Sequence, residues 1–187
     1  MNYMVQNCFH WIGYHILNAL LEKGYRVDGA DDLTTGKKEN LAMFVGRNDL
    51  FRHVPLNNDD TEYDVSITVK GNTLILCKQK TVTIHLPLLF GKWMPMNQQG
   101  IYYGDAFYSF DAEEVVTQAV HIEDLLESLM QWIHASCLPS SLIIKSRNDH
   151  SDQDDRHGTI LYIRQRWSVK QALQSIKNHY ETYNAFY

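Results

Sequence analysis

The stretch from Gln6 to Leu41 constrains the fold of this chain more than any other segment. A short segment of mixed polarity ends at Gln6, a turn follows, and an apolar helix pattern then leads to Gly24 and a second short strand. This order is typical of the first half of a dinucleotide-binding βαβ unit, whose helix points its N-terminus at a pyrophosphate. Such a unit also carries an acidic residue about 20 positions after the turn, where it binds the ribose hydroxyls. Asp31 stands near that position.

The helix after the turn has one broad apolar face, because its apolar residues recur at steps of three and four. Gly24 follows at the place where a left-handed C-terminal cap is favoured. Residues 25–30 alternate weakly and predict the second strand, with Asp31 at its end. The apolar residues of the helix are Ile12, Ile16, Leu17, Leu20 and Leu21.

Two pieces of this stretch resemble the extended short-chain dehydrogenase/reductase family, the nucleotide-sugar epimerases and dehydratases. In that family the turn reads Thr-Gly-Gly-Ala-Gly-Phe-Ile-Gly-Ser-His, and the second strand ends in Asp-Asn-Leu-Ser-Thr-Gly-Lys-x-Glu-Asn-Leu. Here residues 6–15 read Gln-Asn-Cys-Phe-His-Trp-Ile-Gly-Tyr-His, and residues 31–41 read Asp-Asp-Leu-Thr-Thr-Gly-Lys-Lys-Glu-Asn-Leu. The resemblance implies a Rossmann-like fold, with NAD or NADP as the cofactor of the family.

The phosphate turn departs from the family at two of its three glycines. Asn7 and His10 replace the glycines that make the tight turn and let the backbone approach a phosphate, whereas Gly13 keeps the close packing of helix on strand. We therefore expect NAD or NADP to bind weakly or not at all, and binding in the family's manner remains the alternative. The candidate cofactor-binding residues that the resemblance implies are Asn7, His10, Trp11, Ile12, Gly13, Asp31 and Asp32.

The carboxylates of Asp31 and Asp32 admit two interpretations. Asp31 stands where the family has its ribose carboxylate, and Asp32 replaces the usual Asn beside it. An Asp at a strand exit before a Thr-Thr-Gly sequence is equally typical of a turn or a helix N-cap. The family's adenine-binding Asp after the third strand has no counterpart, because no acidic residue occurs between Val54 and Asp59.

From residue 63 onward the chain departs from the family. Residues 63–70 alternate between apolar and polar side chains, Gly71 and Asn72 make a two-residue turn, and residues 73–77 return, which predicts a β-hairpin. The family instead holds two long helices and a catalytic Tyr-x-x-x-Lys pair in this region, and no tyrosine here has a lysine four positions later. Without that acid/base pair no catalytic residue is predicted. Because the long helices also form the family's dimer, we expect no homodimer of that kind.

The resemblance resumes in the second half of the chain. Residues 82–95 resemble a family strand that ends Leu-Arg-x-x-Asn-Val-Tyr-Gly-Pro, although apolar residues replace its polar substrate contacts. Residues 118–125 resemble the family's Val-His-Val-Asp-Asp-Leu element, and the periodicity that follows predicts a helix over about residues 123–135. Short strands are predicted at residues 142–144 and 159–164.

The last helix is predicted to begin at Ser168, where Ser168 and Gln171 have the spacing of a capping box. It resembles the closing helix of the same family. Its aromatic and apolar stripe is interpreted as core rather than as a base-stacking platform, because the spacing is helical and the net charge is negative. The polar segment of residues 146–158 is interpreted as a solvated loop, since it lacks the central Gly and distal Glu of a calcium loop. The stripe consists of Val169, Leu173, Ile176, Tyr180 and Tyr183.

Composition and charge argue against several classes of function. The formal net charge of -5 and the sequence pI of about 5.9 give no general attraction to nucleic acid or to an anionic membrane. Cys8, Cys77 and Cys137 have unrelated spacings, which predicts reduced core thiols rather than disulfides or a metal site. The histidines form no metal-binding i, i+4 pair, so no metal site is predicted. The absence of a leader pattern and of a long apolar run predicts a soluble cytoplasmic protein.

These patterns predict an α/β fold, namely a reduced, single Rossmann-like domain over residues 1–187 with a mostly parallel sheet and an inserted β-hairpin. The hypothesis for function is a non-catalytic, short-chain-reductase-like binding or regulatory protein that acts through an unidentified protein partner. The alternative is an NAD(P)-dependent enzyme of the nucleotide-sugar epimerase or dehydratase type with an atypical site.

Overall fold

A computed structural model describes residues 1–56, 62–149 and 157–187 of the chain. It divides into two compact units, the first formed by residues 1–82 with Phe186 and the second by residues 83–185 with Tyr187. The single domain over residues 1–187 therefore stays a prediction. Asp59 and residues 150–156 of the predicted polar loop lie outside the described residues.

The first unit begins with the βαβ unit that the sequence predicts, continues with a second helix and a third strand, and ends in a hairpin. Its strands lie in the order β5-β4-β1-β2-β3, and every neighbouring pair is parallel except β4 with β5. The α/β class and the mostly parallel sheet are thereby confirmed. The elements are β1 (Asn2–Gln6), α1 (Trp11–Glu22), β2 (Arg26–Ala30), α2 (Gly36–Val45), β3 (Phe51–Val54), β4 (Val65–Lys70) and β5 (Thr73–Cys77).

Helix α1 packs against β1, β2 and β4 through the apolar face that its periodicity predicts. Burying one such side chain contributes roughly 1.5–3 kcal/mol of transfer free energy, so this face is a major part of the core. Gly24 follows the helix with φ +79°, which confirms the left-handed cap. The predicted apolar residues Ile12, Ile16, Leu17, Leu20 and Leu21 are all buried.

The predicted hairpin is confirmed, and its first strand also joins the parallel sheet. Strand β4 pairs with β5 in antiparallel register around Gly71, whose φ of +55° suits the tight turn. On its other side β4 pairs in parallel with β1, from Tyr3 opposite Val65 to Gln6 opposite Thr68. The inserted segment therefore extends the Rossmann-like sheet instead of lying apart from it.

The two faces of this sheet differ in polarity at its β4–β5 end. The face toward α1 carries the buried residues of β4 and β5, such as Ile67 and Leu74. The alternate positions, such as Ser66 and Thr68 of β4 and Ile75 of β5, are only half-buried. We call this second surface the polar face. It comprises Gln6, Ser66, Thr68, Lys70, Thr73, Ile75 and Cys77, which the strand registers place side by side.

The second unit contains a parallel sheet in the order β12-β11-β6 and two small strand pairs, parallel β7–β10 and antiparallel β8–β9. The capping box of Ser168 and Gln171 is present at the start of the last helix, as predicted. The elements are β6 (Thr81–His85), β7 (Leu89–Phe90), β8 (Gly100–Tyr103), β9 (Ala106–Ser109), α3 (Glu113–Gln118), β10 (Val120–His121), α4 (Ile122–His134), β11 (Ser141–Ser146), β12 (Thr159–Ile163) and α5 (Val169–Tyr183).

Two interpretations of side-chain burial were wrong. The cysteines are free, but only Cys8 is buried; Cys77 is half-buried and Cys137 is exposed. The stripe of the last helix is also only partly core, because Val169, Leu173 and Ile176 are buried whereas Tyr183 is 40% exposed. The spacing of cysteines does not indicate their burial, and the periodicity of a helix does not indicate how much of its apolar stripe is covered by other elements.

Candidate functional site

The turn between β1 and α1 is held by contacts of its own side chains and backbone. Asn7, in the position of a family glycine, has φ +55°, a left-handed conformation that Asn adopts more readily than most residues. Its side-chain Nδ2 donates to the carbonyl of Val69 at 2.6 Å, and its carbonyl accepts from the His10 N–H at 3.1 Å. Asn7 therefore ties the turn to the neighbouring strand β4.

Gly13 is the glycine of the turn that the chain keeps, and the packing explains it. A Cβ atom on Gly13 would lie 2.1 Å from the Asn7 carbonyl oxygen and 3.1 Å from the Cys8 Cα atom. Both neighbours are backbone atoms, so neither can rotate away. The close approach of α1 to the end of β1 thus requires glycine, as the sequence comparison with βαβ units predicts.

Asp31 directs its carboxylate into this turn. Only 5% of the residue is exposed, its Oδ2 accepts a hydrogen bond from the Phe9 N–H at 2.7 Å, and its Oδ1 lies 2.8 Å from Lys38 Nζ. The ring of His53 contacts the Asp31 carbonyl oxygen at 3.1 Å. Both carboxylate oxygens therefore have partners within the protein. We call this cluster of Phe9, Asp31 and Lys38 the Asp31 lock.

Asp32 lies outside the lock on the exposed side of Lys38. It makes a short contact with Lys38 Nζ and accepts from Thr34 Oγ1 at 2.9 Å. The hydrogen bond from Lys38, and then that from Thr34, lowers the pKa of the Asp32 carboxyl below its usual value. Neither aspartate caps α2, because Thr35 is its N-cap and accepts from the Lys38 N–H at 3.3 Å.

His10 occupies the N-cap position of α1 in an extended conformation and makes no side-chain capping bond. Its Nδ1 is buried with no hydrogen-bond partner among the described residues. Burial, and then the charge of Lys37, lowers the pKa of His10 to about 4, so the ring is neutral at pH 7. A neutral ring does not repel a phosphate, and the obstacle it presents to one is its volume.

The remaining candidate residues contribute backbone rather than side chains. Trp11 is 5% exposed and Ile12 is 1% exposed, so both side chains belong to the core. The N–H groups of Trp11, Ile12 and Gly13 form the first turn of α1, where no intrahelical acceptor exists. These groups are the ones that would face a pyrophosphate in a βαβ unit.

Sequence reasoning missed the residues that close the lock. Phe9 contributes only its backbone N–H, for which side-chain identity gives no signal, and its buried ring packs edge-on against Phe51 at 6.2 Å. Lys38 lies seven positions after Asp31, across the start of α2. A spacing of seven across a loop has no characteristic geometry, so it could not have identified this pair.

The second unit holds a further buried polar cluster at the start of α4. Asp124 is 3% exposed and accepts from the Arg166 N–H at 3.3 Å and from Arg166 Nε at 3.4 Å. Gln165 Nε2 donates to the Ala119 carbonyl at 2.9 Å and to Ser146 Oγ at 3.2 Å. These contacts connect the segment after β12 to the residue before β10 and to the first turn of α4. Their role is structural.

Within the described parts of the chain, no group of three His, Cys, Asp or Glu side chains is arranged to hold a metal ion. The described helices also include none with the length and apolar character needed to cross a bilayer.

No protein-family model and no curated protein sequence matches this chain. Among solved structures, the crystal structure of yeast methylglyoxal/isovaleraldehyde reductase Gre2 complexed with NADPH matches with 16% sequence identity and a TM-score of 0.27. The match covers 99% of this chain, which spans 50% of the length of that reductase. A likeness this distant assigns no activity, substrate or cofactor to the chain.

Proposed function

We propose that this chain is a non-catalytic Rossmann-like module that acts by binding a protein partner. The Asp31 lock supports this proposal most directly, because the carboxylate in the ribose position already accepts from Phe9 and Lys38. A dinucleotide bound in the family's manner would meet the His10 ring at the phosphate turn, and its ribose hydroxyls would compete with Lys38 for the Asp31 carboxylate. Both effects oppose binding of a dinucleotide at this turn.

The polar face of the first unit supports the second half of the proposal. Mostly parallel sheets are normally covered on both faces, because crossover connections place helices there. Here α1 packs on one face, while Ser66, Thr68 and Ile75 on the other remain half-buried. A partner that lies on this face would complete the cover, with Ile75 near the middle of the contact and Lys70 at its edge.

Millimolar NAD or NADP should leave the melting curve of the protein unchanged within error. A ligand at a hundred times its dissociation constant stabilises the folded state by about 2.7 kcal/mol. For a chain of this size each kcal/mol of added stability raises the melting temperature by roughly 2–4 °C, so binding would be measurable in a thermal melt. The comparison is a melt with and without cofactor at fixed protein concentration.

The double variant Asn7→Gly/His10→Gly is the control for this melt. It removes both side chains that obstruct the phosphate turn but leaves the Asp31 lock in place. The change in its melting temperature on adding NAD or NADP therefore shows whether the side chains or the lock prevent binding. A rise of several degrees with the unchanged protein would contradict the proposal and favour the NAD(P)-dependent enzyme instead.

Substitution of Ile75 by Lys should weaken binding of the protein partner. A partner recovered with the tagged native protein would be identified by mass spectrometry, purified and titrated against each variant. A charge buried at the middle of the contact should weaken binding at least about tenfold, equivalent to 1.4 kcal/mol. Met43→Lys is the matched control, because Met43 is 75% exposed on α2 and lies off the polar face. Equal affinities for both variants would show that the partner binds elsewhere.

A further inference from the structure

Strand β12 ends the sheet of the second unit, and no other strand in the described part of the chain lies along its outer edge. It pairs in parallel with β11, from Leu142 opposite Thr159 to Ser146 opposite Ile163. No other strand among the described residues pairs with it, and it stands last in the strand order. Its outer backbone N–H and C=O groups are therefore positioned to pair with another strand.

The side chains of β12 do not protect this edge. Thr159–Ile163 contains no charged residue and no proline, which natural proteins place on exposed edges to prevent pairing. Ile160 is 41% exposed and Tyr162 is 55% exposed, and both point to the same face of the strand because they are two residues apart. Exposed β-branched and aromatic side chains on an unpaired edge favour association with a strand of similar character.

We propose that β12 pairs with β12 of a second copy of this chain, in antiparallel register around a two-fold axis at Leu161. This register places Ile160 of each copy opposite Tyr162 of the other, so two pairs of a β-branched and an aromatic residue form on one face. Thr159 then lies opposite Ile163. The proposal does not depend on the proposed function, since it uses a different unit and a different surface.

The charges near β12 favour a second copy of this strand in antiparallel orientation. In the antiparallel register Arg164 lies opposite Gly158, and His157 lies opposite Gln165, so no like charges meet across the axis. A parallel pairing in register would place Arg164 beside Arg164 of the other copy. The antiparallel contact is also isologous and closes on itself as a dimer, because each copy uses the same residues.

The size of the contact sets its strength. A five-residue strand is roughly 17 Å long, so the pairing buries less than the roughly 1,200 Å² of a stable standard interface. The dimer should therefore be weak and depend on protein concentration. This interface differs from the long-helix dimer of the family that the sequence resembles.

Sedimentation velocity from about 1 µM to about 1 mM protein tests the proposal, since this range spans dissociation constants typical of weak complexes. The native protein should shift from monomer to dimer across the range. Tyr162→Lys places a charge on the edge and should remain monomeric at every concentration, with an unchanged melting temperature because the side chain is exposed. Met43→Lys on the first unit is the matched control and should dimerise as the native protein does.

A cysteine at Leu161 tests the register. On the two-fold axis the two copies of this residue would have Cα atoms about 4.5–5.5 Å apart, within the range that a disulfide spans. Leu161→Cys, with the exposed Cys137 replaced by Ser, should give a linked dimer under mild oxidation. Thr159→Cys in the same background should not, because its copies would be about 14 Å apart. A monomer at every concentration, continued growth beyond a dimer, or equal linkage of both variants would overturn the proposal.

Discussion

Replacing Gly13 by Ala should lower the free energy of unfolding by about 3 kcal/mol, the upper end of the usual cost of overpacking. The new methyl group would lie 2.1 Å from the Asn7 carbonyl oxygen, so α1 would have to move away from the end of β1. Alanine would gain about 1 kcal/mol of helix propensity over glycine within α1, but the clash with backbone atoms is the larger effect. Chemical denaturation monitored by circular dichroism would measure the loss.

Gly36→Ala is the control for Gly13→Ala. Gly36 is the first residue of α2, and a Cβ atom there would meet no atom within 4 Å. This variant should be as stable as the native protein or slightly more stable, because alanine favours the helix and the site has space. Similar losses in both variants would show that glycine at the turn is not required for close packing.

Replacing Asp31 by Ala should destabilise the protein by about 3 kcal/mol, which corresponds to a fall in melting temperature of roughly 6–12 °C. The change leaves the Phe9 N–H without its acceptor and Lys38 without its buried partner. Asp31→Asn should have a smaller effect, because an amide oxygen can still accept from the Phe9 N–H while only the charge is lost. Thermal and denaturant unfolding would measure both variants.

Asp32→Ala provides the comparison for Asp31→Ala. Asp32 also contacts Lys38, but its side chain is 46% exposed, so solvent screens this ion pair and it should contribute little to stability. The two substitutions therefore remove the same chemical group from the same lysine at different degrees of burial. Equal losses would mean that the Asp31 lock contributes no more than a surface ion pair.

Elements with a strong local pattern could be predicted from the sequence. The apolar steps of α1 and the alternation on both sides of Gly71 each specify one periodicity, and the structure has both elements in place. Helix α4 was predicted over residues 123–135 and spans Ile122–His134. The small hairpin of β8 and β9 was missed, because four-residue strands contain too few alternations to be distinguished from a loop.

Side-chain contacts between distant segments could not be predicted. Helix α2 has almost no apolar face and gave little periodic signal, so neither its start at Gly36 nor the position of Lys38 above Asp31 was foreseen. The two interpretations of Asp31, ribose ligand or turn and cap former, both missed the contact with the Phe9 N–H. That contact joins residues 22 positions apart and depends on how β1 and β2 align, which a residue pattern does not encode.

The Asp31 lock has a consequence for how much folded protein a cell maintains. A fold that needs a bound nucleotide is stabilised in proportion to the logarithm of the free nucleotide concentration, so its abundance follows the supply of that metabolite. Here Lys38 and the Phe9 N–H belong to the same chain as Asp31, so their contacts with its carboxylate do not depend on the concentration of a ligand. If the lock excludes dinucleotides, as proposed above, the folded fraction of this protein should be the same in cells rich or poor in nucleotide.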